Sequence, residues 1–255
     1  MITTVRRVLF FIILIATWEI IYRINLSLQF FPGTGFPSPF NSVNELYIGF
    51  FETGILTEAL TTSIQRLIIG FIIAVIIGTA LGLLLARSKI ADETLGSLVI
   101  ALQSIPSIVW LPIMLMLFGT GTLSIVMIVT LGGTWVMTSN MRLGIKSVQP
   151  ILIRAARTLG YKGSELVWRV MIPAAVPSFL SGTRLAWAFA WRALMAAELI
   201  GTGGLGRTLM DARDFYNMDL VIAIMIIIAT IGLIMEYVIF DRIERKVFSR
   251  WGLSS

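Results

Sequence analysis

A series of long apolar runs constrains this chain more than any other feature. Six segments come close to or exceed the roughly 20 residues that cross a hydrocarbon core about 30 Å thick. They are Val8–Ile24, Leu67–Ala86, Leu98–Phe118, Leu123–Met141, Phe179–Ile200 and Leu220–Phe240. Only 13% of the residues are charged, about half the share of a soluble domain. The runs do not alternate as barrel strands do. The sequence therefore predicts an all-α integral membrane protein with six transmembrane helices, forming a single domain over 1–255.

The amino terminus begins like a secretory signal peptide, with Arg6 and Arg7 before an apolar run. The run continues through Trp18 and Tyr22 without a cleavage site of small residues. We therefore expect a retained first span.

Basic residues flank the spans unevenly. Of the 20 Lys and Arg residues, fifteen are assigned to one side of the membrane and four to the other, and Arg192 lies within a span. The four are Arg23, Arg66, Arg207 and Arg213. Because cytoplasmic loops carry the excess of Lys and Arg, both termini and the segment between the fourth and fifth spans are predicted to be cytoplasmic.

Several chemistries are absent from the sequence. The chain has no Cys and no His, which excludes disulfides and imidazole metal sites, and we predict neither a metal nor a cofactor. Gly201, Gly203 and Gly206 match a dinucleotide fingerprint, but that motif requires a strand before it and a βαβ unit around it. Here it follows an apolar span, so a turn is the expected structure.

The segment from about 142 to 178 interrupts the apolar runs with basic and polar residues. Pro150 suits the first turn of a helix, and Gly160 suits the left-handed residue that ends one. Ser164 is a candidate cap for a second helix, which Pro173 is expected to end. Two short helices on the cytoplasmic face are therefore predicted.

The spacing of Ala155, Ala156, Gly160 and Pro173 resembles the EAA loop of bacterial ABC importer permeases, with Arg154 standing where that family usually has Glu. In that family the loop receives force from an ATPase subunit. Small residues permit close approach, and aromatic residues offer anchors; a basic loop lying on anionic lipid is the alternative. The predicted coupling residues are Arg154, Ala155, Ala156, Gly160, Tyr161, Trp168 and Pro173.

The resemblance covers nearly the whole chain. Pro37-Ser38-Pro39, Arg66-x-x-x-Gly70-Phe71, Ala197 to Gly201, and Trp251 look like the nitrate, sulfonate, taurine and bicarbonate branch of these permeases. It implies a type I importer permease fold, in the bacterial inner membrane. It also implies a second copy of the chain, two cytoplasmic ABC ATPase subunits and a periplasmic or lipid-anchored binding protein, with lipid around them and no nucleic acid.

Function follows the same resemblance. The expected solute is a small anion such as nitrate, a sulfonate, taurine or bicarbonate, and a vitamin precursor or other small organic solute is the alternative. The chain lacks a Gly-x-x-x-x-Gly-Lys-Ser/Thr loop, so ATP hydrolysis belongs to a partner and this chain is not expected to be an enzyme. A secondary transporter would predict inverted repeats and paired intramembrane carboxylates, and neither is evident.

Polar residues within the third and fifth spans are the candidates for a translocation path. Prolines beside them free backbone carbonyls that need internal partners or water, and a charge at membrane depth suggests function. A simple kink, a helix-interface pair for Arg192 and an interfacial position for Glu198 are the alternatives. The candidates are Gln103, Ser104, Ser107, Trp110, Trp191, Arg192 and Glu198.

Small residues recur every four positions in the second span, at Gly70, Ala74, Gly78 and Gly82. Such a stripe lets another helix approach closely, so we predict a tight helix–helix contact there.

Overall fold

The structure, a computed structural model, describes residues 2–28 and 35–250. The described residues contain helices and connecting turns, without a strand. The helices are α1 (Ile2–Leu28), α2 (Pro39–Tyr47), α3 (Ile55–Arg87), α4 (Lys89–Ser104), α5 (Leu111–Phe118), α6 (Thr122–Lys146), α7 (Pro150–Thr158), α8 (Gly163–Leu166), α9 (Ile172–Ala174), α10 (Val176–Ile200), α11 (Leu205–Asp214), α12 (Met218–Leu233) and α13 (Asp241–Arg250). Trp251, part of the resemblance above, lies outside the described residues.

Six membrane spans are compatible with these helices. Four are continuous and two are pairs of helices bent at a short break, by 97° between Lys89–Ser104 and Ser107–Phe118 and by 63° between Gly163–Ala174 and Val176–Ile200. The prediction of a six-span helical membrane fold is confirmed when each bent pair is counted as one span, and the first bend falls within the third predicted span. Proline contributes to both bends, since Pro106 lies in the first break and Pro177 is the second residue after Ala175, where the other break falls.

One compact unit comprises residues 1–62 and 203–231. Within it the indole nitrogen of Trp18 donates to the Pro37 carbonyl at 3.0 Å. Asp219 accepts from the Ser38 backbone N–H at 2.7 Å, and the Ser38 hydroxyl caps α2. This cap explains why α2 begins at Pro39.

The other unit comprises residues 63–202 and 232–255, and α6 lies at its core. The stripe of small residues on α3 packs directly on α6. A methyl group added at Gly70, Gly78 or Gly82 would lie 2.6–2.7 Å from a side-chain carbon of α6. The predicted tight contact is confirmed, since only a residue without a Cβ fits at these three points.

Three threonines on α6 satisfy their hydroxyls within their own helix. Thr130, Thr134 and Thr138 are buried, and each donates to the carbonyl four residues earlier at 2.7–2.8 Å. The helix can therefore bury polar side chains without needing water or a partner chain.

Candidate functional site

The break between α4 and α5 is built by Pro106. The residue before a proline is driven out of helical conformation, and Ile105 is extended, with φ −81° and ψ 120°. Pro106 then precedes one short 3₁₀ turn, Ser107–Trp110, before α5 begins. The predicted kink is confirmed, but the 97° bend is large enough to separate two helices.

A cavity of about 310 Å³ lies beside this break. Gln103, Ser104 and Ser107 line it together with Trp135 of α6 and Phe189 of α10; we call it the break cavity. Gln103 and Ser104 are exposed and Ser107 is half-buried. Polar side chains exposed at membrane depth must face water or another protein surface. Three of the predicted path residues are thus brought to one place.

The hydroxyl of Ser139 contacts Gln103, which lines the break cavity. It donates to the Gln103 side-chain oxygen at 2.8 Å and so links α6 to α4. Farther along the same two helices, Asp92 accepts hydrogen bonds from Arg142 and Lys146. Two polar contacts therefore hold α4 against α6 along its length.

The predicted path residues of α10 lie in three different environments. Trp191 is buried, whereas Arg192 is exposed, with its guanidinium 5.6 Å from the centre of the Phe189 ring. Phe189 lines the break cavity, so Arg192 adjoins it through this contact. Glu198 is 0% exposed. Of the seven predicted path residues, Trp110, Trp191, Arg192 and Glu198 are not among those that line the cavity.

Glu198 instead belongs to a closed group of polar residues. Its carboxylate accepts from Arg66 Nη1 at 3.1 Å and from the Ser63 hydroxyl at 2.7 Å. Arg66 also donates to the Thr202 carbonyl at 2.7 Å and to the Thr122 hydroxyl at 3.2 Å. We call Ser63, Arg66, Thr122, Glu198 and Thr202 the buried polar cluster.

Sequence reasoning missed Arg66, which the charge pattern assigned to a loop side. The available signal was Glu198 itself, because a carboxylate inside an apolar run needs a cationic partner. Arg66, at the start of another apolar run, was a candidate partner.

The segment from α7 to α9 adopts the predicted pair of short helices with two corrections. Gly160 has φ +92°, and the backbone N–H groups of Gly160 and Tyr161 close the end of α7, as predicted. The second helix begins at Gly163, after an extended Lys162, and Ser164 makes no capping hydrogen bond. The predicted cap at Ser164 was therefore wrong by two residues, since Lys162 occupies the cap position.

Pro173 does not end the second helix. A π-helical turn, Val167–Met171, leads into α9, where Pro173 occupies the first turn and needs no N–H partner. The chain turns after Ala175 instead, and the next helix, α10, carries Pro177 in its own first turn.

Exposure differs among the predicted coupling residues of this segment. Arg154, Ala155 and Gly160 are exposed, and Trp168 is 62% exposed. Tyr161 and Pro173 are half-buried. Ala156 is only 5% exposed, so its small side chain packs within the segment.

Large apolar side chains project from the same segment. Leu159 is 78% exposed and Ile151 69%, and Arg154 and Arg157 stand between them. We call the exposed residues Ile151, Arg154, Ala155, Leu159, Gly160 and Trp168 the loop surface. Large apolar side chains exposed beside charged ones are typical of a protein or membrane contact.

A helical membrane domain with a broken span, an open polar cavity at depth and a projecting apolar loop has the construction of a solute permease. The model of the family "Binding-protein-dependent transport system inner membrane component" matches residues 74–249. The chain belongs to this family.

Relatives support the assignment to one branch of it. The taurine transport system permease of Escherichia coli is 32% identical over 73% of this chain and 68% of its own length. The putative aliphatic sulfonates transport permease of Bacillus subtilis is 30% identical over 94% and 84%. A nitrate import permease of Synechocystis is 30% identical over 79% and 76%. The resemblance to the nitrate, sulfonate and taurine branch is confirmed.

Solved structures agree in fold. The methionine ABC transporter described as inward facing has a chain with a TM-score of 0.68 and 20% identity, covering 76% of this chain and 97% of that one. The chain therefore has the type I importer permease fold, and the family match makes it a multi-pass membrane component of a binding-protein-dependent transport system.

Proposed function

We propose that two copies of this chain enclose the translocation path of an ATP-driven importer for a small anion. Two cytoplasmic ABC ATPase subunits drive it, and a periplasmic or lipid-anchored binding protein delivers the solute. Nitrate, sulfonates, taurine and bicarbonate are the expected class. The loop surface carries this proposal, because its exposed apolar residues stand on a basic segment between two spans.

The loop surface fits a protein groove better than a lipid face. Leu159 and Trp168 supply apolar anchors on either side of Gly160. Among the described residues, no heavy atom other than those of Gly160 and its two chain neighbours lies within 4 Å of the Cβ position at Gly160, so a partner can approach its backbone. A lipid contact would not require small residues beside the turn. The side that carries the loop is cytoplasmic by the distribution of Lys and Arg.

Close approach is tested at Ala155, which is exposed and helical. Ala155→Trp adds bulk without straining the backbone, whereas any change at Gly160 is strained by its φ of +92°. We expect Ala155→Trp to abolish co-purification with the ABC ATPase while the permease still inserts. Asp214→Trp is the control, an exposed position in α11 that is predicted to lie across the membrane. Normal ATPase assembly of Ala155→Trp would exclude this docking surface.

Arg154 tests the charge of the contact. Because Arg replaces the usual Glu of the family, the ATPase groove should present an acidic or neutral group to it. Arg154→Glu is expected to weaken solute-stimulated ATP hydrolysis, and Arg154→Lys to preserve it. Stronger solute-stimulated ATP hydrolysis in Arg154→Glu would mean that the ATPase groove presents a basic group at this point, opposite to the charge assigned here.

A secondary transporter is the competing class, and Glu198 argues against it. Proton- or ion-coupled carriers use intramembrane carboxylates that can titrate or bind an ion. The Glu198 carboxylate is fully buried and held by Arg66 and Ser63. A carboxylate held in this way is suited to stabilising the fold and poorly suited to binding and releasing a proton or ion in each transport cycle.

A further inference from the structure

A second cavity, of about 320 Å³, lies between the end of α6 and the start of α10; we call it the inner cavity. Its lining includes Asn140, Gly144, Ser147, Ser178, Ser181 and Phe248. Val136, which lines the break cavity, is followed at intervals of four residues by Asn140 and Gly144, so these three residues share one face of α6. The inner cavity therefore follows the break cavity along α6, toward the end of that helix predicted to be cytoplasmic.

Two walls of the inner cavity, α6 and α10, are packed tightly against each other. A methyl group added at Gly144 would lie 2.5 Å from the Cβ of Ser178, and one added at Gly182 would lie 2.7 Å from the Cβ of Asn140. Helices that approach this closely do not separate by small adjustments. A change in access to the inner cavity is therefore expected at its third element, α13.

The helix α13 meets the inner cavity and α10 with the same face. Glu244 and Phe248 are four residues apart, which places them on one side of the helix. The Glu244 carboxylate accepts from Arg184 Nη1 at 2.5 Å, and the half-buried Phe248 lines the inner cavity. An ion pair thus fastens α13 to α10 one helical turn from its contact with the cavity.

This attachment of α13 is suited to release. The side chain of Arg184 is 29% exposed and that of Glu244 is 15% exposed, and an ion pair with access to solvent contributes little to stability. Arg245 and Lys246 on α13 are exposed, so part of the helix surface is already solvated. The π-helical segment Ile234–Phe240 precedes α13, and such segments are among the few places where helices bend sharply.

We propose that α13 is a latch across the cytoplasmic end of the inner cavity. Phe248 is the side chain that closes it, and the Arg184–Glu244 ion pair is its fastening. This inference rests on the proposed permease function, in which solute that has passed the break cavity leaves toward the cytoplasm. The latch then opens once in each transport cycle.

The start of α10 connects the latch to the loop surface. Pro177 and Ser178 line the inner cavity, and they follow the bend at Ala175 within three residues. A movement of the segment that carries the loop surface would therefore shift the wall that Phe248 faces.

Access to the inner cavity is measured with Ser181→Cys in the full-length permease in nanodiscs. The chain has no Cys of its own, and Ser181 is half-buried in the cavity wall. Glu244→Gln should raise the rate of reaction with a charged aqueous thiol reagent up to about fivefold, the effect of losing a partly exposed ion pair. Phe248→Ala should raise it at least as much.

Arg245→Gln is the matched control for the labelling experiment. Its ion pair with Asp241 lies within α13, so its loss should leave the labelling rate of Ser181→Cys unchanged. Salt gives a second readout, because screening weakens a partly exposed ion pair. Raising the salt from about 50 mM to about 500 mM should accelerate labelling, and Glu244→Gln should abolish this response.

The need for release is tested with a cleavable cross-link across the inner cavity. Phe248→Cys and Ser147→Cys, both lining positions, are joined by a short bifunctional thiol reagent in the reconstituted importer. The cross-link should stop solute uptake without dissociating the ABC ATPase, and cleavage should restore uptake. Asp241→Cys with Arg245→Cys, joined by the same reagent within α13, should leave uptake intact.

Unchanged labelling of Ser181→Cys in both Glu244→Gln and Phe248→Ala would overturn the latch. Full uptake with the cross-link between positions 248 and 147 in place would overturn it too, and would leave the proposed function intact. A permease that does not assemble with an ABC ATPase would instead contradict the proposed function. The labelling experiment needs no ATPase, so it decides on the latch in either case.

Discussion

The buried polar cluster and the break cavity hold polar groups in the same compact unit, in opposite ways. In the cluster, Arg66 and Glu198 are nearly or completely inaccessible, and the carboxylate is bonded within the chain. At the cavity, Gln103 and Ser104 are exposed, and Trp135 has a buried donor without a described partner. Polar groups that are buried with their partners stabilise the fold, whereas exposed ones are accessible to a solute even where they keep a hydrogen bond within the chain.

The two arginines of these regions, Arg66 in the buried polar cluster and Arg192 beside the break cavity, differ in the same way. Arg66 has several acceptors around it, while Arg192 contacts the face of Phe189 and is exposed. A cation–π contact of an exposed Arg contributes only about 0.5–1 kcal/mol. Arg192 is therefore a small contributor to stability, and the comparison predicts opposite mutational consequences for the two arginines.

The largest expected effect is in the buried polar cluster. Glu198→Ala leaves Arg66 charged, buried and without its carboxylate, which costs about 3–5 kcal/mol. We expect a strong loss of the free energy of unfolding, measured by thermal and denaturant unfolding of the detergent-solubilised protein. Glu52→Ala, at an exposed position, is the control. A change below about 1 kcal/mol for Glu198→Ala would mean that the pair is not desolvated as described.

A smaller loss is expected for Ser63→Ala. The Ser63 hydroxyl donates to the buried Glu198 carboxylate at 2.7 Å, and a hydrogen bond to a charged group contributes about 1.5–3 kcal/mol. The same unfolding measurement applies, with the exposed Ser97→Ala as its control. The double variant Ser63→Ala/Glu198→Ala should lose less than the sum of the two, because both act on one carboxylate; additive losses would contradict the shared contact.

Ser139→Ala removes the hydrogen bond to Gln103, which lines the break cavity. That bond is exposed, so its net contribution is at the low end of the usual range, about 0.5 kcal/mol. Solute flux through the reconstituted importer should change although unfolding hardly does. Ser249→Ala, which also removes an exposed hydroxyl hydrogen bond, should affect neither. A stability loss as large as that of Ser63→Ala would abolish the distinction between the two regions.

Arg192→Gln is expected to leave stability essentially unchanged and to reduce anion uptake. A positive charge beside the cavity offsets the dehydration of an anion, and Arg192→Lys should preserve part of the uptake. The chain has no Cys, so single cysteines report access directly. A Cys at Arg192 should react with aqueous reagents and a Cys at the buried Trp191 should not; the reverse pattern would place Arg192 in a helix interface.

Local patterns made much of this fold predictable. The apolar runs, the stripe from Gly70 to Gly82 and the turn at Gly160 each depend on residues close together in sequence. The Arg66–Glu198 pair joins positions 132 residues apart, and nothing local specifies that partner. The small size of Ala156 was consistent with both docking and packing, and only the folded segment shows that it is buried. The 97° bend likewise depends on what packs around Pro106, beyond the proline itself.

The glycine contacts between α3 and α6 have a mechanical consequence. Methyl groups added at Gly70, Gly78 and Gly82 would lie only 2.6–2.7 Å from α6 carbons. The two backbones are therefore packed closely at three points along α3, and axial sliding or rolling would force them apart. The two helices must therefore move as one rigid body through any transport cycle. The remaining conformational freedom of the two bent spans then lies at the Ile105–Pro106 break and at the bend at Ala175. Cross-linking α3 to α6 should therefore leave turnover intact. A cross-link that bridges either bend should arrest it.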